Sequence, residues 1–281
     1  MTATKIKSFA KLNLALNIVG KKSSLHRIES IVAFASLHDE IFIKKIKSKK
    51  HKIIFTGKFS KDINKENTIS KLLKILEKKK LLSNYKFYIK INKKIPNKAG
   101  LGGGSMNAAS VLKYLTQKKI VKLSKKEIEK ISNLIGSDVI LGLNFKNSIL
   151  NSNNQIRHFT HYKKIHVLIV KPNFGCSTKY VYSKVKEFSK PKFDEPKKKL
   201  FNLNYLKKMK NSLEPIVLEK FSKLRAIKFF LENLSTPVFV RMTGSGSAIV
   251  AYFQTKQRCY KAKEMFNRKF KNYWCIASKT I

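Results

Sequence analysis

The sequence predicts an α+β chain organised as two domains. Three observations point there. The length, 281 residues, suits one large domain or two ordinary ones. Hydrophobic residues make up 43% and aromatics 11%, so a sizeable core is available and a wholly disordered chain is excluded. Strand-like alternation and helical spacing both recur without a strict βαβ rhythm, which favours α+β. A boundary near residue 160 gives segments 1–160 and 161–281, each of plausible domain size.

Residues 12–18 alternate strictly, with Leu12, Leu14, Leu16 and Ile18 on one face and Asn13, Ala15 and Asn17 on the other, which predicts a half-buried strand. The same period puts Lys11 beside Asn13, away from the leucines. Residues 30–35 and 40–46 read as two further strands, with Asp39 and Glu40 structural at a strand edge; 51–55 and 86–92 add two more. Ile69, Leu72, Leu73 and Leu76 predict a helix over 67–80. Ala108, Ala109, Leu112 and Leu115 predict another over 105–117. A third covers 124–135, with Ile128, Ile131, Leu134 and Ile135 on its inner face and Gly136 as its stop. Residues 158–165 read as a loop leading into a strand over 165–170, and a helix then starts at Ser177. The stretch 186–199, with two prolines and many charges, reads as a solvated loop. Helices are expected over 203–210, 215–233 and 256–270, and strands over 238–242 and 248–253 around a glycine turn.

The charge is extreme: 61 Lys and Arg against 16 Asp and Glu, a formal +45. Such a balance attracts polyanions. Only six of the 61 are arginine, however, and bidentate readout of bases and phosphates favours arginine. The lysines are spread over every segment, so weak, salt-sensitive and non-specific binding is expected rather than a specific nucleic-acid function. No apolar run approaches the roughly 18 residues of a membrane span, and no secretion signal is recognisable at the start. Three cysteines without a CxxC spacing fit a reducing compartment. The expected location is cytoplasmic, with no membrane partner. His158, His161 and His166 have no Cys or acid between them, so no metal site is assigned to side chains.

The strongest chemical signal is the run from Ile95 through Pro96, Asn97, Lys98, Ala99, Gly100, Leu101, Gly102, Gly103, Gly104, Ser105 and Met106 to Asn107. Glycines let backbone N–H groups converge, and the helix start that follows adds unpaired donors and a partial positive charge. Together they form a cradle for a di- or triphosphate. A Walker A loop is excluded because no lysine follows Gly104, and a dinucleotide loop fails because Ser105 stands where it needs glycine.

The run resembles the second motif of the GHMP small-molecule kinases, P-x-x-x-G-L-G-x-G-S-x-N-A-A. Further matches follow in chain order: Ala10-Lys11-Leu12-Asn13 near the start, Glu66-Asn67-Thr68-Ile69, Ile135-Gly136-Ser137-Asp138-Val139, Pro172 to Tyr182, and Arg241-Met242-Thr243-Gly244-Ser245-Gly246-Ser247-Ala248. They span nearly the whole chain. Within the family the likeness is greatest to the branch acting on a cytidine diphosphate-linked methylerythritol. The resemblance implies a two-domain fold with its active site in the cleft between domains, ATP and Mg2+ as cofactors, a small-molecule acceptor, and a monomer or homodimer.

The resemblance also implies roles, each beside a plainer explanation. Asp138 becomes the base for the acceptor hydroxyl rather than a helix cap. Lys11 becomes the ammonium that keeps Asp138 ionised and stabilises an alkoxide, rather than one more surface lysine. The run 96–106 holds the nucleotide, with the Ser105 hydroxyl near phosphates and magnesium rather than merely capping a helix. Asn67 lies near the base rather than only capping. Thr243 closes over the phosphates rather than turning a tight hairpin. Asn13, His26 and Tyr182 hold the acceptor, His26 by hydrogen bonds and Tyr182 by stacking on cytosine. This sequence departs from the family pattern before His26, where Asp, Gly and Tyr are missing, at Ile140 in place of proline, and at Ser152–Gln155 in place of G-x-G-E. Those departures bear on the acceptor, leaving a homoserine or mevalonate-type kinase, or a basic nucleic-acid binder, as alternatives.

Overall fold

The computed structural model describes residues 3–23, 25–61, 63–83, 85–160 and 164–281. In chain order the elements are β1 (Thr4–Lys22), β2 (Leu25–Ile46), β3 (Lys52–Thr56), α1 (Thr68–Lys78), β4 (Lys86–Asn92), α2 (Gly103–Gln117), α3 (Lys125–Ile135), α4 (Val139–Gly142), β5 (Asn147–Leu150), β6 (Ile156–Phe159), β7 (His166–Lys171), α5 (Thr178–Ser183), α6 (Leu203–Lys208), α7 (Glu214–Lys220), α8 (Ser222–Glu232), β8 (Phe239–Met242), β9 (Ile249–Phe253), α9 (Lys256–Lys269) and β10 (Trp274–Lys279). One sheet runs β3-β4-β2-β5-β6 with β1 also paired to β2, and a second runs β10-β7-β9-β8. The mixed α+β class holds.

The chain forms two compact units. The first comprises the described residues up to Ala10 with Leu37–Asn97 and Gly102–Phe145; the second comprises Lys11–Ser36, Lys98–Leu101 and Lys146–Ile281. This partition differs from a single boundary near residue 160, because β1 and β2 each contribute residues to both units.

In the first unit, α1 connects β3 to β4, which pair in parallel, and β4 pairs antiparallel with the Glu40–Ile46 part of β2. The predicted stripes of α1 and α2 are buried against Ile41, Ile43, Phe87, Ile89 and Ile91. The α3 stripe needs one correction. Leu134 is exposed, because six residues from Ile128 place it about 240° round the helix, whereas Ile131 and Ile135 are buried.

In the second unit, β7 and β9 form the middle of an antiparallel sheet. Its apolar face takes Val217 of α7, Leu224, Ile227 and Leu231 of α8, and Cys259, Ala262 and Phe266 of α9. The helix expected over 215–233 is two helices, interrupted at Phe221, which adopts extended backbone.

Four further expectations are corrected. Residues 30–35 and 40–46 belong to one strand, β2, rather than two. Asp39 explains the continuity: fully buried in the first unit, its carboxylate pairs with the Lys93 ammonium and accepts from Lys94 N (2.7 Å), Ile95 N (2.8 Å) and Asn107 Nδ2 (3.0 Å). A polar residue so completely bonded needs no turn to reach water. The strand at 12–18 is buried on both faces, not one, as the exposures of Lys11 (4%), Asn13 (2%) and Asn17 (7%) show. Its asparagines bond inward: Asn13 Nδ2 donates to Ser30 Oγ (2.8 Å) and Asn17 Nδ2 to Glu29 (2.7 Å), while Asn13 Oδ1 is buried without a hydrogen-bond partner. The stretch 186–199 is irregular but not wholly solvated. Phe193 is buried, and the Glu29 carboxylate accepts from Lys192 N and Phe193 N, both at 2.9 Å. Residues 158 and 159, read as the start of a loop, are the end of β6.

Candidate active site

The glycine run divides its work between the units. In the second unit, the carbonyls of residues 98–101 are turned into the protein. Lys98 O accepts from Cys176 N and Ser247 N (both 3.3 Å), Ala99 O from Ala248 N (3.1 Å), Gly100 O from Thr243 Oγ1 (3.3 Å), and Leu101 O from Lys11 N (2.9 Å). Gly100 has φ +71°, and a Cβ there would lie 2.0 Å from Thr243 O. The turn at 243–246 is therefore packed backbone to backbone against this segment, and it is longer than a tight hairpin, with β8 ending at Met242 and β9 starting at Ile249. Asn211 fixes it from below, donating through Nδ2 to Met242 O and Gly244 O at 2.8 Å each. The thiol of Cys176 beside this segment is pushed up to about 11 by burial, so it stays protonated.

In the first unit, Gly102 adopts the left-handed conformation at φ 65° and launches α2 two residues earlier than expected. Ser105 is consequently the third helical residue and not the cap, a correction of the capping explanation. The first-turn amides of Gly103, Gly104 and Ser105 have no acceptor inside a helix. Met106 N already bonds Gly102 O (2.9 Å), and the Met106 side chain is buried, so of the run only residues before it present such amides. The Lys93 ammonium lies 3.3 Å from where a Gly103 Cβ would project, placing a cation beside the first turn. Thr68 Oγ1 donates to Gly104 O (2.6 Å), joining the starts of α1 and α2. Asn97 Nδ2 donates to Phe59 O (2.9 Å), and Pro96 is buried.

Asn67 caps α1: its Oδ1 accepts from Ile69 N (3.0 Å) and Ser70 N (3.1 Å). It also lines a cavity of about 420 Å³ whose walls include Ile53, Phe55, Leu73, Lys65 and His51. Asp138 is partly buried at the head of α4, and its side chain does not cap that turn. Two residues before it, Gly136 leaves room beside Ser105, whose Oγ would stand 3.6 Å from a Cβ there. The oxygens of Ser105 and Asp138 are hard donors, few in number, which suits Mg2+ held chiefly by phosphate and water.

The acceptor residues fall in the second unit. Lys11 and Asn13 are consecutive inward positions of β1, and Asn13 N donates to Thr243 Oγ1 (3.0 Å). His26 and Tyr182 are brought together, ring centroids 5.2 Å apart and tilted by 47°. Burial, with a contribution from Lys21, holds the His26 imidazole below its ordinary pKa and hence neutral near pH 7. Among the histidines weighed as metal ligands, His158 contacts Ser148 Oγ (2.9 Å) and His166 opens β7, while His161 lies outside the described residues. Among the described residues no group of three or more His, Cys, Asp or Glu is placed to hold a metal, and no helix is long and apolar enough to cross a membrane.

Sequence reasoning missed Asn211 and Lys93. Neither carries a signal: one is an asparagine in no motif, the other is hidden among lysines.

Known proteins resemble this chain in sequence and in fold. Residues 67–144 match the family described as GHMP kinases N terminal domain. A Pelagibacter ubique protein named 4-diphosphocytidyl-2-C-methyl-D-erythritol kinase is 58% identical over 281 residues, covering 100% of both chains. A Clostridium tetani protein of the same name is 34% identical, over 94% of this chain and 97% of its own. A crystal structure of 4-(cytidine 5'-diphospho)-2C-methyl-D-erythritol kinase superposes with a TM-score of 0.80 at 22% identity, covering 99% of this chain and 100% of that one. The chain belongs to the 4-diphosphocytidyl-2-C-methyl-D-erythritol kinases, a branch of the GHMP kinases.

Proposed function

We infer that the protein transfers the γ-phosphate of ATP to the 2-hydroxyl of 4-diphosphocytidyl-2-C-methyl-D-erythritol, a step of the non-mevalonate route to isoprenoid precursors. The 58% identity over the full length to a relative of that name carries this reading. The geometry supports it residue by residue. Phosphoryl transfer asks for positioning and charge stabilisation more than for covalent chemistry. The first-turn amides of α2 receive the phosphates. The cavity beside Asn67 takes the adenine, with Ile53, Phe55 and Leu73 as its apolar walls. Mg2+ would be held chiefly by phosphate and water with the Ser105 hydroxyl beside it, and would supply neutralising charge to the phosphates when bound. Asp138 orients the acceptor hydroxyl and accepts its proton. The Lys11 ammonium stabilises the charge that develops on the attacking oxygen. Asn13, Thr243, His26 and Tyr182 position the acceptor. In this reading Lys11, Asn13, His26, Tyr182 and Thr243 belong to the second unit and Asn67, Ser105 and Asp138 to the first, in a cytoplasmic enzyme working as monomer or homodimer.

The test is an assay of purified protein with ATP, Mg2+ and a panel of acceptor alcohols, including homoserine and mevalonate. Turnover confined to the cytidine-bearing acceptor is expected. Asp138→Asn should lower kcat by about 10²–10⁴-fold while ATP affinity stays near that of the parent. Equal turnover of homoserine or mevalonate would refute the acceptor, and near-normal kcat in the variant would remove Asp138 from the chemistry.

A further inference from the structure

Asn211 grips the turn after β8 more completely than local chain geometry requires. The residue is buried, and its whole carboxamide is engaged. Oδ1 accepts from Leu213 N (3.0 Å), while Nδ2 donates to Met242 O and Gly244 O at 2.8 Å each. Both hydrogens of the amide nitrogen are therefore spent on the carbonyls that flank Thr243. The segment carrying Asn211 is itself anchored. Leu16 N donates to Lys210 O (3.0 Å) and Ser212 N to Leu16 O (2.8 Å), so Asn211 lies along β1. On the same strand, Asn13 N donates to Thr243 Oγ1 (3.0 Å). One strand thus holds the turn twice, directly through Asn13 and indirectly through Asn211.

That hold decides where the amides of the turn point. The Gly244–Ser245 bond is trans, and in a trans peptide the carbonyl and the N–H point in opposite directions. With Gly244 O drawn to Asn211, the Ser245 N–H is turned away from it. The amides of Thr243, Gly246, Ser247 and Ala248 all bond to carbonyls of the protein. Gly244 N and Ser245 N have no acceptor among the described residues, although both residues are buried. Buried unpaired amides are rare, and two in succession form a nest for an anionic oxygen. Gly244 has no side chain to restrain its backbone, so releasing its carbonyl would let the peptide turn over and the nest would be lost.

We propose that Asn211 is a positioning residue of the kinase reaction: by holding Met242 O and Gly244 O it keeps the Gly244 and Ser245 amides turned toward a phosphoryl oxygen of the reactants. The proposal rests on the kinase reading above. Asn211 touches no reactant itself and acts only through the turn. In that reading ATP is held by the first-turn amides of α2 and the acceptor by side chains elsewhere. A turn out of place is therefore felt in the rate more than in either affinity.

Steady-state kinetics of the full-length enzyme with ATP, Mg2+ and the cytidine-bearing acceptor decide the matter, at a temperature where circular dichroism shows each variant folded. Asn211→Ala should lower kcat by about 10–100-fold, with the KM for ATP and for the acceptor each changed less than about threefold. Asn211→Asp keeps the shape and the bond from Leu213 N but removes the donated pair, so it should lose kcat as the alanine variant does. Asn211→Ser, whose hydroxyl can still accept from Leu213 N, carries the same test should the other variants fail to fold. Ser212→Ala is the control: it removes the bond from Ile18 N (3.3 Å) in the same segment and should leave kcat within about twofold of the parent. A kcat near that of the parent in folded Asn211→Ala and Asn211→Asp would overturn the proposal and leave the kinase reading intact. An equal loss in Ser212→Ala, or KM values that rise as far as kcat falls, would also overturn it, by marking a general loosening of the segment. A parent enzyme that does not turn over the cytidine-bearing acceptor would instead defeat the reading beneath it.

Discussion

At the scale of the residue, glycine carries two different duties in one run. Gly100 is required for packing: its positive φ and a carbonyl 2.0 Å from any Cβ leave no room for a side chain. Gly104 is exposed, and a Cβ there would meet Thr68 Oγ1 only at 3.4 Å. Gly100→Ala should accordingly cost more than about 2 kcal/mol in a urea melt. Gly104→Ala should melt within about 1 kcal/mol of the parent. A tolerant Gly100 would show that the contact with Thr243 is not needed. The run itself was legible because four glycines before a helical stripe are rare in any other role. Which glycine packs and which remains open was not, since that depends on a turn 143 residues further on. Asn67 shows the converse. Its cap was readable from local pattern, whereas its place on a cavity wall required the fold.

At the scale of the element, helices were legible and long strands less so. The stripes of α1 and α2 repeat with the helical period and are buried as that period demands. In β1 the alternation of leucine with asparagine argued for one wet face, yet both faces are dry, because Ser30 and Glu29 meet the asparagines from the neighbouring strand. In β2 the sequence read as two strands, 30–35 and 40–46, with Asp39 and Glu40 at an edge, but Asp39 is held by four donors inside one strand. Polar residues inside a sheet cannot be told from surface ones until their partners are known. Asp39 joins β2, the segment before the glycine run, and α2, so its loss belongs to the element and not to one contact. Asp39→Ala leaves the Lys93 ammonium buried and unpaired and should destabilise the protein by about 3–5 kcal/mol. Denaturant unfolding monitored by circular dichroism measures it; a change below about 1 kcal/mol would mean that Lys93 finds another partner or reaches water.

At the scale of the whole molecule, the +45 charge is spread over every segment of the chain. Several of the 16 acids are engaged by local cations or amides. Hydrogen bonds from Lys5 and Lys94 hold Glu40 down to about 2, and Glu29 and Asp39 are fully buried. The remainder cannot offset 61 cations. DNA and RNA of any sequence should therefore bind weakly at low salt and be released by about 0.2 M, as fluorescence anisotropy would record. Sequence-dependent binding that survives that salt would call for a nucleic-acid function beside the kinase one. Composition made the charge obvious; the even spread of lysines showed that it is not aimed.

The passage of β1 and β2 through both units sets an order of events on the ribosome. Every residue of the first unit precedes position 146, so it can close while the chain is still growing. Leu16 and Ile18 emerge well before their core partners Ile249, Ala251 and Phe253. Until β9 follows, the core around Leu16 and Ile18 lacks that strand, so the second unit closes later than the first.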